Sequence, residues 1–233
     1  MRTVLFRFFV IFWLLNGTAA IADRHPDHTV REKEPSFRLP VRFEKNAGQA
    51  PKRVDYIGRG GGFTTLLGDG HVSLRFRTGS GVSEVAIRPS GGQRGVRFHA
   101  EGEKISEANY FLGADRTNWR QSIPVFGRVT AREVYAGIDW TFYSADKKLK
   151  YDFRIDAGAD PGAIRLDFEG VNRLSVDRNG DLLLHTRGGE LRQGRPVAYQ
   201  KKGDRDVTVP VAFQIEGDTA VRFRLGEYDR SAS

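Results

Sequence analysis

The sequence contains no cysteine, and its single methionine is the initiator. The absence of cysteine excludes disulfides, thiolate catalysis and thiolate metal ligation, so a folded chain of this length must be held together by its hydrophobic core. Without further methionine, no adaptable methionine-lined groove is expected. Convincing helical periodicity is missing as well. The absence of helical periodicity favours a fold that is built from strands.

The only long apolar run lies within residues 1–22. Arginines at positions 2 and 7 precede an unbroken apolar stretch, residues 8–15, and Ala20-Ile21-Ala22 forms a small-residue cleavage site. This pattern predicts a secretory signal peptide. The stretch is shorter than the roughly 20 residues that a membrane-spanning helix needs. We therefore expect a secreted protein (extracellular, on the cell surface or in the periplasm) without a transmembrane segment after cleavage.

The charge of the chain is mildly positive. The formal net charge is +8, and removal of residues 1–22 takes away two arginines and no acid, which leaves +6. Both signs are interspersed along the sequence, whereas proteins that bind nucleic acids usually cluster their basic residues on one element. No nucleic-acid partner is expected.

Residues 134–161 carry the clearest structural pattern. Apolar and polar residues alternate over 138–143 and again over 149–155, with a polar turn at 144–148. Period-two alternation on both sides of a short turn predicts an antiparallel hairpin with one buried face. Tyr151 and Phe153 are expected to be buried, and their neighbours are expected to be in water: Lys150, Asp152 and Arg154.

Similar strands recur along the chain, separated by turns rich in Gly, Asn-Gly and Asp-Gly. They are predicted at 37–43, 54–57, 63–67, 72–76, 82–87, 96–98, 124–129, 164–168, 174–176, 182–184, 207–215 and 221–225. Pro40 places the first of them at a sheet edge, and the last two should form a closing hairpin. The prediction is an all-β, antiparallel β-sandwich-like module built from hairpins, with two packed sub-sandwiches as a finer alternative.

The same patterns divide the chain. We expect a flexible N-terminus at 23–35, an all-β domain at 36–229 with a sub-lobe boundary near 115–130, and a short tail at 230–233. No internal repeat is present.

Several motifs resemble those of a known family. They are FEKNAGQ (43–49), VDYIGRGGG (54–62), NYFLG (109–113), Trp119, VYAGIDWTFY (134–143), LKYDFRIDAGADP (149–161), VAYQ (197–200) and LGEYD (225–229). Together they resemble the uncharacterised domain that precedes SBBP β-propeller repeats in secreted and surface-exposed bacterial proteins. The resemblance implies export, an all-β fold and a non-catalytic extracellular role. It also implies propeller repeats after the last strand, whereas this sequence ends at Ser233, as in a truncated or stand-alone copy.

Four aspartates, Asp139, Asp152, Asp156 and Asp160, are the candidates for paired catalytic carboxylates. Glycoside hydrolysis needs two such groups on either side of a cleft. The first two lie at polar strand positions, however, and the other two lie in a loop, where aspartate commonly caps turns. We expect solvated or turn-capping carboxylates rather than a catalytic pair.

Other candidate sites also have simpler explanations. The segment 177–181 has neither the glycine nor the glutamate positions of an EF-hand, and a type I′ hairpin turn at Asn179-Gly180 is favoured over calcium. The glycines at 58–62 have no following Lys-Ser/Thr and indicate a bulge or tight turn rather than a phosphate cradle. The sequence has five scattered histidines, His25, His28, His71, His99 and His185. No Ser-His-carboxylate arrangement is expected among them.

Tyr143 is the aromatic residue most suited to a sugar- or peptide-binding surface, because it lies at a polar strand position near Lys147, Lys148 and Lys150. Trp140 is expected in the core by its position in the alternation. A lone tyrosine on a strand is more often a cross-strand packing partner.

No catalytic, cofactor-binding or metal-binding residue and no cofactor are therefore expected. The sequence favours a non-catalytic structural or interaction module of an exported bacterial protein, with a protein or glycan partner at the cell envelope. A carbohydrate-binding module, which needs clustered exposed aromatics, is the first alternative. A secreted glycoside hydrolase, which needs two converging carboxylates, is the second.

Overall fold

The computed structural model describes residues 10–15, 39–79, 81–202 and 204–229, and for residues 10–15 it describes the backbone alone. The expected signal peptide apart from residues 10–15, the expected flexible segment 23–35 and the expected tail 230–233 lie outside these ranges. None of the helical turns in the described ranges is long and apolar enough to cross a membrane.

The secondary structure of the described residues consists of strands and two 3-10 turns, Arg116–Asn118 and Pro161–Ala163. The strands are β1 (Val10–Leu15), β2 (Arg42–Lys45), β3 (Tyr56–Gly60), β4 (Phe63–Gly68), β5 (His71–Thr78), β6 (Gly81–Pro89), β7 (Phe98–Glu101), β8 (Ser106–Tyr110), β9 (Arg120–Phe126), β10 (Arg128–Tyr135), β11 (Ile138–Ala145), β12 (Lys148–Ile155), β13 (Arg165–Glu169), β14 (Arg173–Val176), β15 (Leu182–Thr186), β16 (Gly189–Gln193), β17 (Ala198–Lys202), β18 (Arg205–Val209), β19 (Val211–Glu216) and β20 (Ala220–Leu225).

These strands form two large antiparallel sheets and one separate hairpin. The eight-stranded sheet has the order β14-β15-β16-β1-β12-β11-β10-β7, the ten-stranded sheet has the order β19-β20-β13-β6-β5-β4-β3-β2-β9-β8, and β17 pairs with β18. One cluster of buried side chains joins both large sheets, for example Leu67 and Ile87 of one with Trp140 and Phe153 of the other. The all-β, β-sandwich-like fold predicted from the sequence is therefore confirmed.

The predicted central hairpin consists of β11 and β12, which pair without interruption from Ile138–Ile155 to Ala145–Lys148. Asp146 and Lys147 form its turn with φ values of 52° and 60°. These left-handed values are those of a two-residue type I′ turn. The turn is therefore shorter than the predicted 144–148, and the strands are correspondingly longer.

One face of this hairpin is buried as predicted, and the other is not fully in water. Tyr151 and Phe153 are fully buried. Of the residues on the opposite face, Arg154 is exposed, Lys150 is half-buried and Asp152 is buried. The prediction for the polar face is thus wrong at Asp152, because alternation identifies which face a residue occupies but not what covers that face.

Two predicted strands are each divided in the structure. Pro210 separates β18 from β19, since proline cannot donate a ladder hydrogen bond, and β18 pairs with β17 while β19 pairs with β20. The closing hairpin is therefore confirmed for β19 but wrong for residues 207–209. Gly127 similarly separates β9 from β10, and the chain changes sheet there. The predicted edge position next to Pro40 is also wrong, because β2 pairs with both β3 and β9.

Candidate functional site

Exposed apolar side chains concentrate in the loop between β8 and β9. Phe111 and Leu112 are 59% and 60% exposed, and they are the only adjacent residues among the exposed large hydrophobic residues of the described ranges. The Phe111 ring packs edge-on against the half-buried Trp119 ring, with centroids 5.0 Å apart. Exposed apolar groups that cluster in this way indicate a contact surface more strongly than scattered ones.

The conformation of this loop is held by local hydrogen bonds. Asp115 caps the 3-10 turn by accepting from the Thr117 amide at 2.9 Å and from its hydroxyl at 2.8 Å. Trp119 Nε1 donates to the Gly113 carbonyl at 3.1 Å. Arg120 Nη1 donates to the carbonyls of Thr117 and Trp119 at 2.8 and 3.0 Å. The aromatic pair is therefore presented by an ordered scaffold, which reduces the entropy cost of binding.

A second loop, formed by the FEKNAGQ motif, lies beside the loop between β8 and β9. Asn46 organises this second loop. Its Nδ2 donates to the Ala50, Pro51 and Val54 carbonyls at 3.1, 3.0 and 2.8 Å, and its Oδ1 accepts from the backbone of the same loop. Arg120 Nε then donates to the Ala47 carbonyl at 3.1 Å. The motif thus has a structural role that places this loop beside Arg120.

Arg59 and Tyr110 line the space between the two loops and form a polar triad with Glu44. Glu44 is 7% exposed; it accepts a hydrogen bond from Arg59 Nε at 3.1 Å and another from the Tyr110 hydroxyl. Arg59 Nε also donates to the Tyr110 hydroxyl at 2.9 Å. Burial, reinforced by Glu44, raises the pKa of Tyr110. The phenol is therefore neutral at physiological pH, and the buried carboxylate is fully engaged.

The two loops border a cleft of about 430 Å³, which we call the loop cleft. Its lining residues are Gly48, Gln49, Arg59, Tyr110, Leu112, Asn118 and Arg120. The loop cleft offers arginine and amide donors beside an exposed apolar pair. Concave sites with a few convergent polar groups beside apolar surface are typical of ligand-binding sites.

The predicted carboxylates are placed as structural groups. Asp139 is 7% exposed, not solvated as expected; Arg154 Nη2 donates to it at 2.6 Å and the Glu133 amide at 2.9 Å. Asp152, also buried, accepts from the Tyr143 hydroxyl at 2.9 Å. Neither lines the loop cleft of about 430 Å³ or the clefts of about 390, 540 and 570 Å³. The expectation of solvated groups is wrong for both residues.

The other two aspartates lie in the loop after β12. Asp160 caps the turn Pro161–Ala163 by accepting from the Gly162 amide at 2.9 Å, which confirms its capping role. Asp156 is half-buried, with Oδ1 3.6 Å from Arg154 Nη1. Asp156 thus contacts an arginine side chain, and Asp160 contacts the backbone of the turn.

Arg192 bridges the two aspartates of the acidic turn at 177–181. Its Nη1 donates to Asp177 and, at 3.1 Å, to Asp181. Burial opposes ionisation of Asp177, but the Asp181 amide, the Arg192 guanidinium and the Asn179 amide outweigh it and lower the pKa of the carboxyl. No group of three or more His, Asp or Glu in the described ranges is arranged to hold a metal ion.

The turn geometry at this position differs from the prediction. A type I′ turn needs positive φ at both central residues, but of Asn179 and Gly180 only Gly180 has one, at 84°. The Gly180 amide donates to the Asp177 carbonyl at 3.0 Å and the Asp177 amide to the Asp181 carbonyl at 2.9 Å. The connection is thus a wider loop around a type I turn followed by a left-handed glycine.

The glycine stretch 58–62 forms the tight turn between β3 and β4. Gly60 pairs with Phe63, and the two residues between them have φ values of 68° and 90°. A Cβ on Gly60 would lie 2.8 Å from the Pro40 carbonyl oxygen. The glycines therefore serve a turn and a close backbone approach, as expected.

A family model for a domain of unknown function, DUF7948, matches residues 43–233. The chain belongs to this family. No curated protein and no solved structure matches the chain. The match begins at the FEKNAGQ motif, so it includes both loops that border the loop cleft.

The DUF7948 domain contains one arrangement that the sequence did not predict. Ser175 Oγ is 2.8 Å from His185 Nε2, and His185 Nδ1 is 3.6 Å from Glu190 Oε2. The three residues lie on β14, β15 and β16, and His185 is directly opposite Glu190. Sequence spacing does not reveal such a group, because it depends on the register of three strands.

The position of Ser175 differs from that of the nucleophile in a serine hydrolase. Ser175 lies on a regular strand rather than on a sharp turn that exposes a nucleophile. The side chains form cross-strand contacts on a sheet face, and they do not line the loop cleft or the clefts of about 390, 540 and 570 Å³. The 3.6 Å separation of His185 from Glu190 exceeds hydrogen-bond length. We interpret the group as a polar cross-strand network.

The remaining predicted histidines and aromatics in the described ranges are also accounted for. His71 lies in a cleft of about 390 Å³ with two ion pairs, Arg75–Glu84 and Arg88–Glu169, both at 2.6 Å. Burial and then Arg88 lower the pKa of His71. His99 is exposed on β7. His25 and His28 lie outside the described residues.

One face of the Tyr143 ring is covered by an arginine side chain. The Arg128 guanidinium carbon lies 4.8 Å from its ring centroid, and its hydroxyl is bonded to Asp152. Trp140 is fully buried, which confirms its core position. Of these two aromatic residues, Phe111 rather than Tyr143 offers the exposed surface.

Proposed function

We propose that this DUF7948 domain is a non-catalytic interaction module of an exported bacterial protein and that it contacts its partner through the loop cleft. The observation that carries the proposal is the exposed Phe111–Leu112 pair beside the Arg59, Tyr110 and Arg120 side chains. Clustered apolar and arginine groups on an ordered scaffold are typical of binding hot spots. The partner we favour is a protein of the cell envelope.

The chemistry of the acids supports a non-catalytic role. Glu44, Asp139 and Asp177 are each bound by an arginine. A general acid or base needs an available proton position near substrate, and these carboxylates are committed to structural ion pairs. The loop cleft itself is lined by no acid.

Export is proposed on the sequence of residues 1–22. Two arginines, an apolar run and the Ala-Ile-Ala motif make up the three regions of a signal peptide. The destination is extracellular, the cell surface or the periplasm. We also propose the relationship to domains that precede SBBP repeats, which is supported by the motifs shared with them.

Carbohydrate binding is the second candidate, because Phe111, Trp119 and Tyr110 lie close to the Gln49 and Asn118 amides. Sugar rings stack on open aromatic faces. The Arg116 guanidinium carbon, however, lies 5.3 Å from the Trp119 ring centroid and occupies one face of the indole. A protein partner can also contact the edges of aromatic rings and the arginine side chains, so it fits the surface better.

The proposal is tested by fractionating cells that export the protein. Phe111→Ser/Leu112→Ser should shift the protein from the envelope fraction to the soluble fraction, since it removes the apolar contact. Val82→Ser is the matched control, because Val82 is 71% exposed on β6, and it should fractionate like the wild type. Equal distribution of all three proteins would contradict the proposal. Retention of the purified domain on insoluble polysaccharide would favour the second candidate.

A further inference from the structure

The eight-stranded sheet is completed by β1, which lies between β12 and β16. Val10 is opposite Tyr151 and Ile11 is opposite Lys150 on β12. On the other side, Phe12 through Leu15 pair with Gln193 through Glu190 on β16. Both pairings are antiparallel, and β12 and β16 have no direct strand pairing with each other. The slot between β12 and β16, the strand slot, is thus filled by one inserted strand.

The inserted strand is the apolar run of the predicted signal peptide. Cleavage after Ala22 removes it and leaves two open strand edges in one sheet. Open edges present unpaired backbone N–H and C=O groups and readily accept another strand. The exported domain therefore needs a replacement for β1.

The segment that becomes the new N-terminus is a poor replacement. Residues 23–38 contain Pro26 and Pro35 and have Val30 and Phe37 as their only large apolar residues. Proline cannot donate to a strand ladder, and two isolated apolar residues give no alternation. A strand from another polypeptide is favoured instead.

Gln193 adds a chemical requirement for the occupant. Its side chain is fully buried, Nε2 donates to the Tyr151 hydroxyl at 2.8 Å, and Oε1 has no hydrogen-bond partner. If the amide were reversed, Nε2 would be the atom left over. A buried polar atom without a partner is costly, so the position opposite Gln193 favours an occupant with a hydroxyl or amide side chain.

The register also separates the two faces of the strand slot. Positions opposite Tyr151, Gln193 and Leu191 belong to the buried face, since all three side chains are at most 3% exposed. Positions opposite Lys150, Arg192 and Glu190 belong to the polar face. A fitting occupant alternates, whereas the leader strand VIFWLL is apolar throughout.

We propose that the strand slot of the exported domain binds an extended strand of a partner protein, antiparallel to β12 and β16. This strand carries apolar residues opposite Tyr151 and Leu191, a hydroxyl or amide side chain opposite Gln193, and polar residues at the alternate positions. The inference rests on the proposed export, because it requires removal of β1.

The test uses the exported protein and synthetic peptides. The probe carries Val-Thr-Ser-Thr-Leu-Thr between solubilising residues, in the register of β1, and one matched peptide has alanine in place of serine while another has proline there. The serine peptide should bind and raise the melting temperature. It should bind about fivefold more tightly than the alanine peptide, the effect of one hydrogen bond. The proline peptide should bind much more weakly than both.

The Gln193→Leu variant identifies the contact. It should bind the serine and alanine peptides equally, because the polar group they distinguish is gone. If this variant does not fold, the three-peptide comparison on the wild type decides alone. If the exported wild type is unfolded without a strand, refolding in the presence of the serine peptide but not the proline peptide supports the proposal. If the serine peptide neither binds the exported protein nor restores its folding, the proposal is overturned.

The mass of the exported protein separates the two proposals. A protein that begins at Asp23 and ignores all peptides overturns the strand slot but leaves the interaction module intact. A protein that still begins at Met1 overturns the proposed cleavage and the strand slot together.

Discussion

Arg154 donates two hydrogen bonds to one carboxylate oxygen of Asp139, from Nη2 at 2.6 Å and from Nε at 3.2 Å. The other Asp139 oxygen accepts from the amide of Glu133, which has a φ of 54° at an irregularity in β10. The carboxylate therefore stabilises both the hairpin and the bulge of the neighbouring strand. Its role is structural, although its position in the sequence suggested a solvated group.

Asp139→Asn should lower the free energy of unfolding by about 2 kcal/mol, because the amide oxygen can accept from only one of the two donors, Arg154 or the Glu133 amide, and the NH2 group then faces the other. The cost stays below that of a fully buried pair, since the Arg154 side chain is 44% exposed and can be hydrated. Urea unfolding measures the change. Asp206→Asn, at an ion pair whose acid is 61% exposed, is the control and should cost less than about 0.5 kcal/mol. Equal costs would contradict a structural role for Asp139.

Phe153→Ala should cost about 3–5 kcal/mol, the range for removing a buried aromatic side chain. Phe153 is fully buried and stacks on Trp140 with 9° between the ring planes. Phe111→Ala is the matched control, because Phe111 is 59% exposed, and it should cost less than about 1 kcal/mol. Thermal and urea unfolding of both variants check the prediction. A stable Phe153→Ala variant would contradict the position of this hairpin in the core.

The turn at 177–181 should contribute a pH-dependent part of the stability. The pKa of Asp177 lies below its ordinary value of 3.8 in the folded domain, because two amides and Arg192 outweigh the effect of burial. A lowered pKa stabilises the fold above the ordinary value, and this contribution is lost as the pH falls through the folded value. Wild type should therefore be more stable than Asp177→Asn at pH 7, with the difference shrinking below about pH 4. If the stabilities of wild type and Asp177→Asn differ equally at pH 7 and below about pH 4, the lowered pKa of Asp177 is refuted.

The Ser175–His185–Glu190 group should not react as a catalytic triad. We expect no labelling by a fluorophosphonate probe that modifies activated serines, because the serine lies on a regular strand. Mass spectrometry of the treated protein checks this directly, with a known serine hydrolase as the positive control. Labelling of Ser175 that disappears in His185→Ala would contradict the non-catalytic interpretation.

Strands with strict alternation could be predicted because their apolar face covers the core. This holds for β12, where Leu149, Tyr151, Phe153 and Ile155 are all buried. The strand β16 was missed because its sequence, GELRQ, has one large apolar residue, and its last buried position is the polar Gln193. Tertiary context, not local pattern, decides such a strand.

The site was harder to predict than the fold. The motifs that build the loop cleft are visible in the sequence, but the exposure of Phe111 and Leu112 depends on how the loop after β8 folds back. An apolar pair after a strand normally predicts burial. The burial of Asp139 was likewise hidden, since it depends on Arg154 in the adjacent strand and on the bulge of β10.

Binding of the purified exported protein to envelope preparations of the bacterium that produces it tests the interaction module most directly. Wild type should co-sediment in a saturable manner, and Phe111→Ser/Leu112→Ser should bind at least about tenfold more weakly, as expected for loss of a hot spot. Val82→Ser should bind like the wild type. If wild type does not bind, or if the double variant binds as tightly as Val82→Ser, the loop cleft is not the contact surface of this domain.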